Sequence, residues 1–124
     1  MSGTKQVPLL VQKGKVERGT KMARKVGYPT VNIHYDDPEI LTGTYAGKVT
    51  VDNTEYRAAI YVNQEREVLE AHLLDFSGDL YGKEITVVLL ERLVEAKEFR
   101  GRLDEQSFID WAVKEVQKYF NINS

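Results

Sequence analysis

"TYAGKVTVDNTEYRAAIYV", residues 44–62, is the stretch that decides the fold. Two runs rich in β-branched and aromatic residues flank Asp52-Asn53. That dipeptide suits a tight hairpin turn, because Asp and Asn tolerate the left-handed backbone such turns demand. The stretch therefore predicts two antiparallel strands. Working outward, the pattern repeats. "LLVQKGKV" (9–16) reads as a first strand and "TVNIHY" (30–35) as a second, followed by the polar loop "DDPEILTG" (36–43). Downstream, "EVLEAHLLDF" (67–76) and "EITVVLLERLV" (84–94) flank "SGDLYGK" (77–83), a further hairpin candidate. Short strands between turn signals over 9–95 predict a barrel or sandwich.

The period changes after Gly101. Phe108, Ile109, Ala112, Val113, Val116 and Phe120 recur at helical spacing, with Asp104 as a candidate N-cap and acids in the first turn. Lys114, Glu115 and Lys118 mark the polar side. A β-rich domain closed by one C-terminal amphipathic helix is expected, the helix supporting the core and Trp111 at its margin.

The 124 residues fit one domain, 1–124, large enough for a core. With no cysteine, a disulfide framework, a thiolate zinc site and a thiol nucleophile are excluded. A net charge of −2 argues against a polyanion binder. The N-terminal stretch has no apolar run long enough for a signal peptide or membrane span, so a cytoplasmic protein with no membrane partner is the expectation.

Four places could carry chemistry. Lys13, Lys15, Arg18, Lys21, Arg24 and Lys25 lie close together, opposed only by Glu17, with Gly19 among them and Gly27 just after. Such a stretch suits an anion, held by backbone N–H groups and cations. From charge alone a solvated loop is the commoner reading, and no Walker A pattern is present. In "PTVN" (29–32), Thr30 and Asn32 project to one face of an extended chain while Val31 turns to the core. Their hydroxyl and amide oxygens suit Mg²⁺ completed by substrate phosphates; taken alone Thr-x-Asn is usually structural, and its weight comes from the basic loop just before it. Glu70 sits mid-strand between apolar Leu69 and Ala71 and shares a face with His72 and Leu74. It is a candidate general base or an ordinary solvent-facing carboxylate. His34 and His72 read as structural. Tyr81, Phe99 and Trp111 could stack on a planar ligand but more often belong to a core.

In order, "GKVERGTKMARKVGYPTVN" (14–32), "GTYA" (43–46), "EAHLLDF" (70–76), "GDLYG" (78–82) and "ITVVLLERLVEAKEF" (85–99) resemble the riboflavin kinase family, which makes FMN from riboflavin and ATP. The resemblance implies a mainly β fold, a six-stranded antiparallel Greek-key barrel with the C-terminal α-helix packed alongside. It implies a flavokinase that moves the γ-phosphate of ATP to the ribityl 5′-hydroxyl. Glu70 matches the base, and Thr30 and Asn32 match the holders of the metal, Mg²⁺ with Mn²⁺ or Zn²⁺ as alternatives. Gly14, Val16, Gly19, Lys21, Arg24, Lys25, Gly27 and Pro29 match the nucleotide site, together with Thr30 and Asn32. Glu70, His72, Arg92 and Phe99 match the flavin site. The implied partners are small molecules, with no nucleic acid, and the implied state is a monomer.

The chain departs from the family at two places. Ala23 stands where a glycine is usual, and Lys21 replaces another glycine. Only "NQERE" (63–67) joins two strands where the family generally has a Gly-x-x-Pro-Thr-like segment. Many bacterial relatives carry an adenylyl-transferring domain upstream; none is seen here, so FAD synthesis is not expected. The alternative reading is a flavin or nucleotide sensor on the same barrel without catalysis. A nucleic-acid-binding barrel is disfavoured, because aromatics are not interleaved with the basic residues.

Overall fold

The turn at Asp52-Asn53 forms as its residues require. Both take positive φ, 50° and 68°, the geometry whose twist matches the flanking strands. In the computed structural model, which describes residues 7–17, 30–93 and 105–122, this turn joins β3 (Gly43–Val51) to β4 (Thr54–Asn63). A four-residue loop then leads to β5 (Val68–Leu73), with Glu67 at φ 57° and Arg66 N–H donating to Asn63 Oδ1 at 3.1 Å. The remaining strands are β1 (Leu10–Lys15), β2 (Thr30–His34) and β6 (Glu84–Arg92). All pairings are antiparallel, in the order β1-β6-β3-β4-β5-β2. Placing β2 beside β5, the far end of a three-strand meander, makes the Greek key.

The expected hairpin through "SGDLYGK" does not form. β5 and β6 are not neighbours, because β5 lies between β4 and β2 while β6 lies between β3 and β1. With both edges of each strand occupied, residues 74–83 cross over instead. They do so through left-handed positions at Asp75, Gly78 and Gly82. β5 also ends sooner than its apolar run suggests, where Asp75 takes φ 59°.

The sheet rolls until its outer strands meet. Glu17 N–H donates to Asn32 C=O at 2.7 Å, a bridge from the end of β1 to β2. Gly14 allows that approach, since a Cβ there would lie 3.3 Å from Ile33 Cβ. At Gly47 the β3–β6 register shifts, and a Cβ would stand 2.1 Å from Val88 O. This is a bulge that only glycine fits.

Alternation sorts the strands onto two cores. Val31, Ile33, Tyr35, Tyr45, Val49, Ile60, Val62, Leu69, Ala71, Leu73, Ile85, Val87 and Leu89 fill the barrel. On the outside, the cross-strand pair Ala46 and Ala59 forms a low platform. Onto it packs α1 (Glu105–Ile122) through Phe108, Ile109, Ala112, Val113, Val116, Tyr119 and Phe120. Every apolar position expected of this helix is buried. Trp111 is half-buried at the margin, its ring 5.7 Å from that of Phe108. Near the helix end, Arg57 stands 4.9 Å from the Phe120 ring centroid and its cross-strand partner Lys48 5.8 Å, a cation–π contact. Among the described residues no helix is long and apolar enough to cross a membrane.

Gly47→Ala should cost at least about 2 kcal/mol, since the added methyl meets backbone that cannot yield; urea unfolding measures this. The Tyr35 hydroxyl is buried without a hydrogen-bond partner among the described residues. Tyr35→Phe should therefore be neutral or stabilising by up to about 1 kcal/mol. Burial raises the pKa of Tyr35 above 10.0 and that of Tyr45 likewise. Above about pH 10 the unfolded chain releases phenolic protons that the folded chain retains, so stability present below that pH is lost as pH rises. Tyr35→Phe should make this alkaline loss shallower in pH-dependent melts.

Candidate active site

The register brings together residues that are far apart in sequence. Thr30 pairs with His72 and Asn32 with Glu70 across β2 and β5. On the other side of β5, His72 pairs with Ala59 and Glu70 with Tyr61, and Tyr61 in turn pairs with Thr44. Two adjacent rows result, Asn32–Glu70–Tyr61–Thr44 and Thr30–His72–Ala59–Ala46. Because alternate strand residues share a face, both rows lie on the outside of the barrel, opposite Val31, Leu69 and Ala71.

Helix α1 crosses one end of these rows. Thr44, Ala59, Tyr61, Glu70 and His72 face Phe108, Ile109 and Ala112 around a cavity of about 20 Å³, room for about one water molecule. Glu70 thus has an apolar roof on one side and the oxygens of β2 on the other. Its side chain keeps 29% of its exposure.

His72 is the buried polar centre, 6% exposed. Its Nδ1 lies 2.8 Å from Thr30 Oγ1 and its Nε2 3.5 Å from Glu70 Oε1. The first is a good hydrogen bond; the second is an electrostatic contact longer than a strong bond. Both follow from pairing: Thr30 is the cross-strand neighbour of His72, and Glu70 lies two residues before it on the same face.

A second concavity lies along the barrel seam. Gln12, Lys13, Gly14, Lys15, Val16 and Glu17 form its wall with His34, Tyr81 and Gly82, around about 530 Å³. That volume suits a nucleotide-sized ligand. Gly14 and Val16 stand in this wall, Gly14 with a packing reason of its own against Ile33. Lys13 pairs loosely with Glu84 at 3.6 Å, both well exposed, a contact of little energy. His34, expected to be structural, is exposed and lines this groove. Tyr81 is exposed there too.

Arg92 does not join Glu70. It pairs with Tyr45, whose side chain belongs to the barrel interior, whereas Glu70 lies in the outward row of Thr44 and Tyr61. Its guanidinium donates to Thr42 C=O at 2.9 Å and lies over Gly43, where a Cβ would come within 2.8 Å of it. The "NQERE" loop binds the preceding connection, with Gln64 Nε2 donating to Pro38 C=O at 2.7 Å and Gln64 N–H to Thr42 Oγ1 at 3.0 Å. Gly19, Lys21, Ala23, Arg24, Lys25, Gly27, Pro29, Phe99 and Asp104 lie outside the described residues.

Sequence reading did not single out Thr44, Ala59 or Tyr61 as site residues. Strand alternation puts Ala59 and Tyr61 on one face and Ala58, Ile60 and Val62 on the other. Only the pairing with β5 shows that the first face borders Glu70. Among the described residues no group of three or more His, Cys, Asp or Glu could hold a metal.

The family model for riboflavin kinase matches residues 9–119. The bifunctional riboflavin kinase/FMN adenylyltransferase of Mycoplasma pneumoniae is 34% identical over 114 residues, covering 88% of this chain and 42% of that protein. The chain thus spans about two fifths of such relatives. A solved riboflavin kinase from Trypanosoma brucei superposes with TM-score 0.56 at 23% identity, covering 90% of this chain and 78% of that one. A Streptococcus pneumoniae structure described as a macrolide-efflux protein superposes with TM-score 0.62 at 24% identity, covering 94% of this chain and 36% of that one. At those identities the structures show a shared fold. With the family model spanning nearly the whole described barrel and helix, this chain belongs to the riboflavin kinase family.

Proposed function

We propose that this chain phosphorylates riboflavin, passing the γ-phosphoryl group of ATP to the ribityl 5′-hydroxyl to give FMN and ADP. The observation that carries this reading is the pairing of Thr30 and Asn32 with His72 and Glu70 on one face. It sets two neutral oxygen donors beside a carboxylate. Phosphoryl transfer asks little covalent chemistry of a protein: it needs positioned groups and electrostatic support.

Each group has a part. Glu70 accepts the proton of the 5′-hydroxyl as that oxygen attacks phosphorus. The new O–P bond forms while the bond to the β,γ-bridging oxygen breaks, and ADP leaves. The helix roof of Phe108, Ile109 and Ala112 limits water around the carboxylate, which favours its hydrogen bond to a substrate hydroxyl. Gly14 and Val16 border the nucleotide in the seam groove, where the ammonium groups of Lys13 and Lys15 suit its phosphates.

Thr30 Oγ1 and Asn32 Oδ1 would hold the divalent ion. The donor set fits Mg²⁺, because two neutral hard oxygens leave coordination places for phosphates and water. Mn²⁺ suits the same donors, whereas Zn²⁺ prefers nitrogen and sulfur. When bound, the ion supplies charge neutralisation on the transferring phosphoryl oxygens. The resemblance also offers Arg92 and Phe99 to the flavin. The bond from Arg92 to Thr42 favours a rim-supporting part for that arginine.

Purified protein with riboflavin and Mg-ATP should form FMN and ADP in equal amounts, measured chromatographically. Glu70→Gln should lower kcat by about 10²–10⁴-fold, with riboflavin still bound. Flavin binding without turnover in the unaltered protein would be the behaviour of a sensor and would overturn the kinase reading. Undiminished turnover in Glu70→Gln would remove that residue from the mechanism.

A further inference from the structure

His72 is more deeply buried than a side chain that merely touches a ligand from the rim. Tyrosines aside, it is one of two buried polar side chains among the described residues, the other being Thr44. Its two ring nitrogens face different partners, a hydroxyl at 2.8 Å and a carboxylate at 3.5 Å. A neutral imidazole has one N–H donor and one lone-pair acceptor, and its partners decide which nitrogen is which.

Of the two neutral tautomers, only one satisfies both partners. With the proton on Nδ1, the Nε2 lone pair would face the Glu70 carboxylate, an unfavourable approach of two electron-rich atoms. With the proton on Nε2, the N–H points toward Glu70 Oε1 and Nδ1 accepts the hydroxyl proton of Thr30. That second arrangement has a consequence for Thr30. Once its hydrogen is engaged by Nδ1, Oγ1 offers only lone pairs in other directions, which is what a cation requires.

We propose that His72 is a positioning residue: in its Nε2–H tautomer it fixes the Thr30 hydroxyl with its lone pairs turned to a nucleotide-bound divalent cation, and it ties that oxygen to the Glu70 carboxylate through one buried ring. The chain Thr30–His72–Glu70 thereby couples the metal-holding oxygen to the base. Outer partners of this kind orient a ligand by fixing its proton. The metal and base parts rest on the kinase reading above; the tautomer and the hydroxyl orientation do not.

The test begins with the unaltered protein. Long-range ¹H–¹⁵N correlation of the His72 ring should show a protonated Nε2 and an unprotonated Nδ1. A ring protonated on Nδ1 would overturn the proposal whether or not any variant folds. Next, binding of Mn²⁺ in the presence of a non-hydrolysable ATP analogue is measured for three substitutions. His72→Phe keeps the ring and loses both polar contacts. His72→Gln can reach Glu70 but places no acceptor at Nδ1. His72→Asn places an amide oxygen where Nδ1 stood. His72→Phe and His72→Gln should weaken Mn²⁺ binding about 10–100-fold, while His72→Asn should recover most of it. The Mg²⁺ concentration for half-maximal turnover should move the same way.

Equal losses in His72→Phe and His72→Asn, or unchanged Mn²⁺ binding in both, would overturn the positioning role. Absence of FMN formation together with the expected tautomer and Mn²⁺ pattern would fault the kinase reading while supporting the role of His72. FMN formation with no shift in metal dependence would do the reverse.

Discussion

The pairing of β2 with β5 is the constraint on which the rest of the molecule depends. It is non-local, it completes the Greek key, and it alone carries Thr30 and Asn32 to Glu70 and His72. Because side chains alternate with a period of two, a slip of one residue would turn every member of this set over. Thr30 and Asn32 would enter the barrel, and Val31 and Ile33 would face out. Burying those polar groups while exposing two β-branched side chains is strongly unfavourable. The apolar interior therefore specifies the register, and the register specifies the site.

The second requirement is that β3, β4 and β5 be covered on both faces. Most small antiparallel sheets leave one face to water. Here the barrel interior takes one face, and α1 takes much of the other through the Ala46–Ala59 platform. Small residues in that pair let the helix come close, and Phe108, Ile109 and Ala112 then reach far enough to roof Glu70. A helix that reads as core support is in the same stroke part of the site's environment. The Gly47 bulge and the close pass of Gly14 over Ile33 serve the same end, bending the sheet until β1 and β2 meet at Glu17 and Asn32.

Local chemistry was legible in the sequence, and non-local pairing was not. The turn at Asp52-Asn53, the six strands and the helix from 105 follow from turn residues and periodicity, which act within a few positions. The link after β5 misled because turn residues in "SGDLYGK" say that the chain reverses, not which strand it then joins. Thr44 and Tyr61 escaped notice for a related reason: in strands buried on both faces, alternation does not say which face borders the site. Glu70, Thr30 and Asn32 stood out through motif order, and Glu70 and His72 were placed on one face by spacing alone. The bond from His72 to Thr30 is visible only once β2 and β5 are side by side. Gly14 and Gly47 show the same limit, since their reasons lie in Ile33 and Val88, far away along the chain.

The metal-and-base site proposed here is built by β2 and β5 on the outer face of the barrel. A crystal structure with Mn²⁺ and a non-hydrolysable ATP analogue, with the ion located by its anomalous scattering, tests it most directly. The expected result is Mn²⁺ held by Thr30 Oγ1 and Asn32 Oδ1, on the same face as the Glu70 carboxylate. An ion held elsewhere on the protein, with Thr30 and Asn32 making no contact to it, would contradict it.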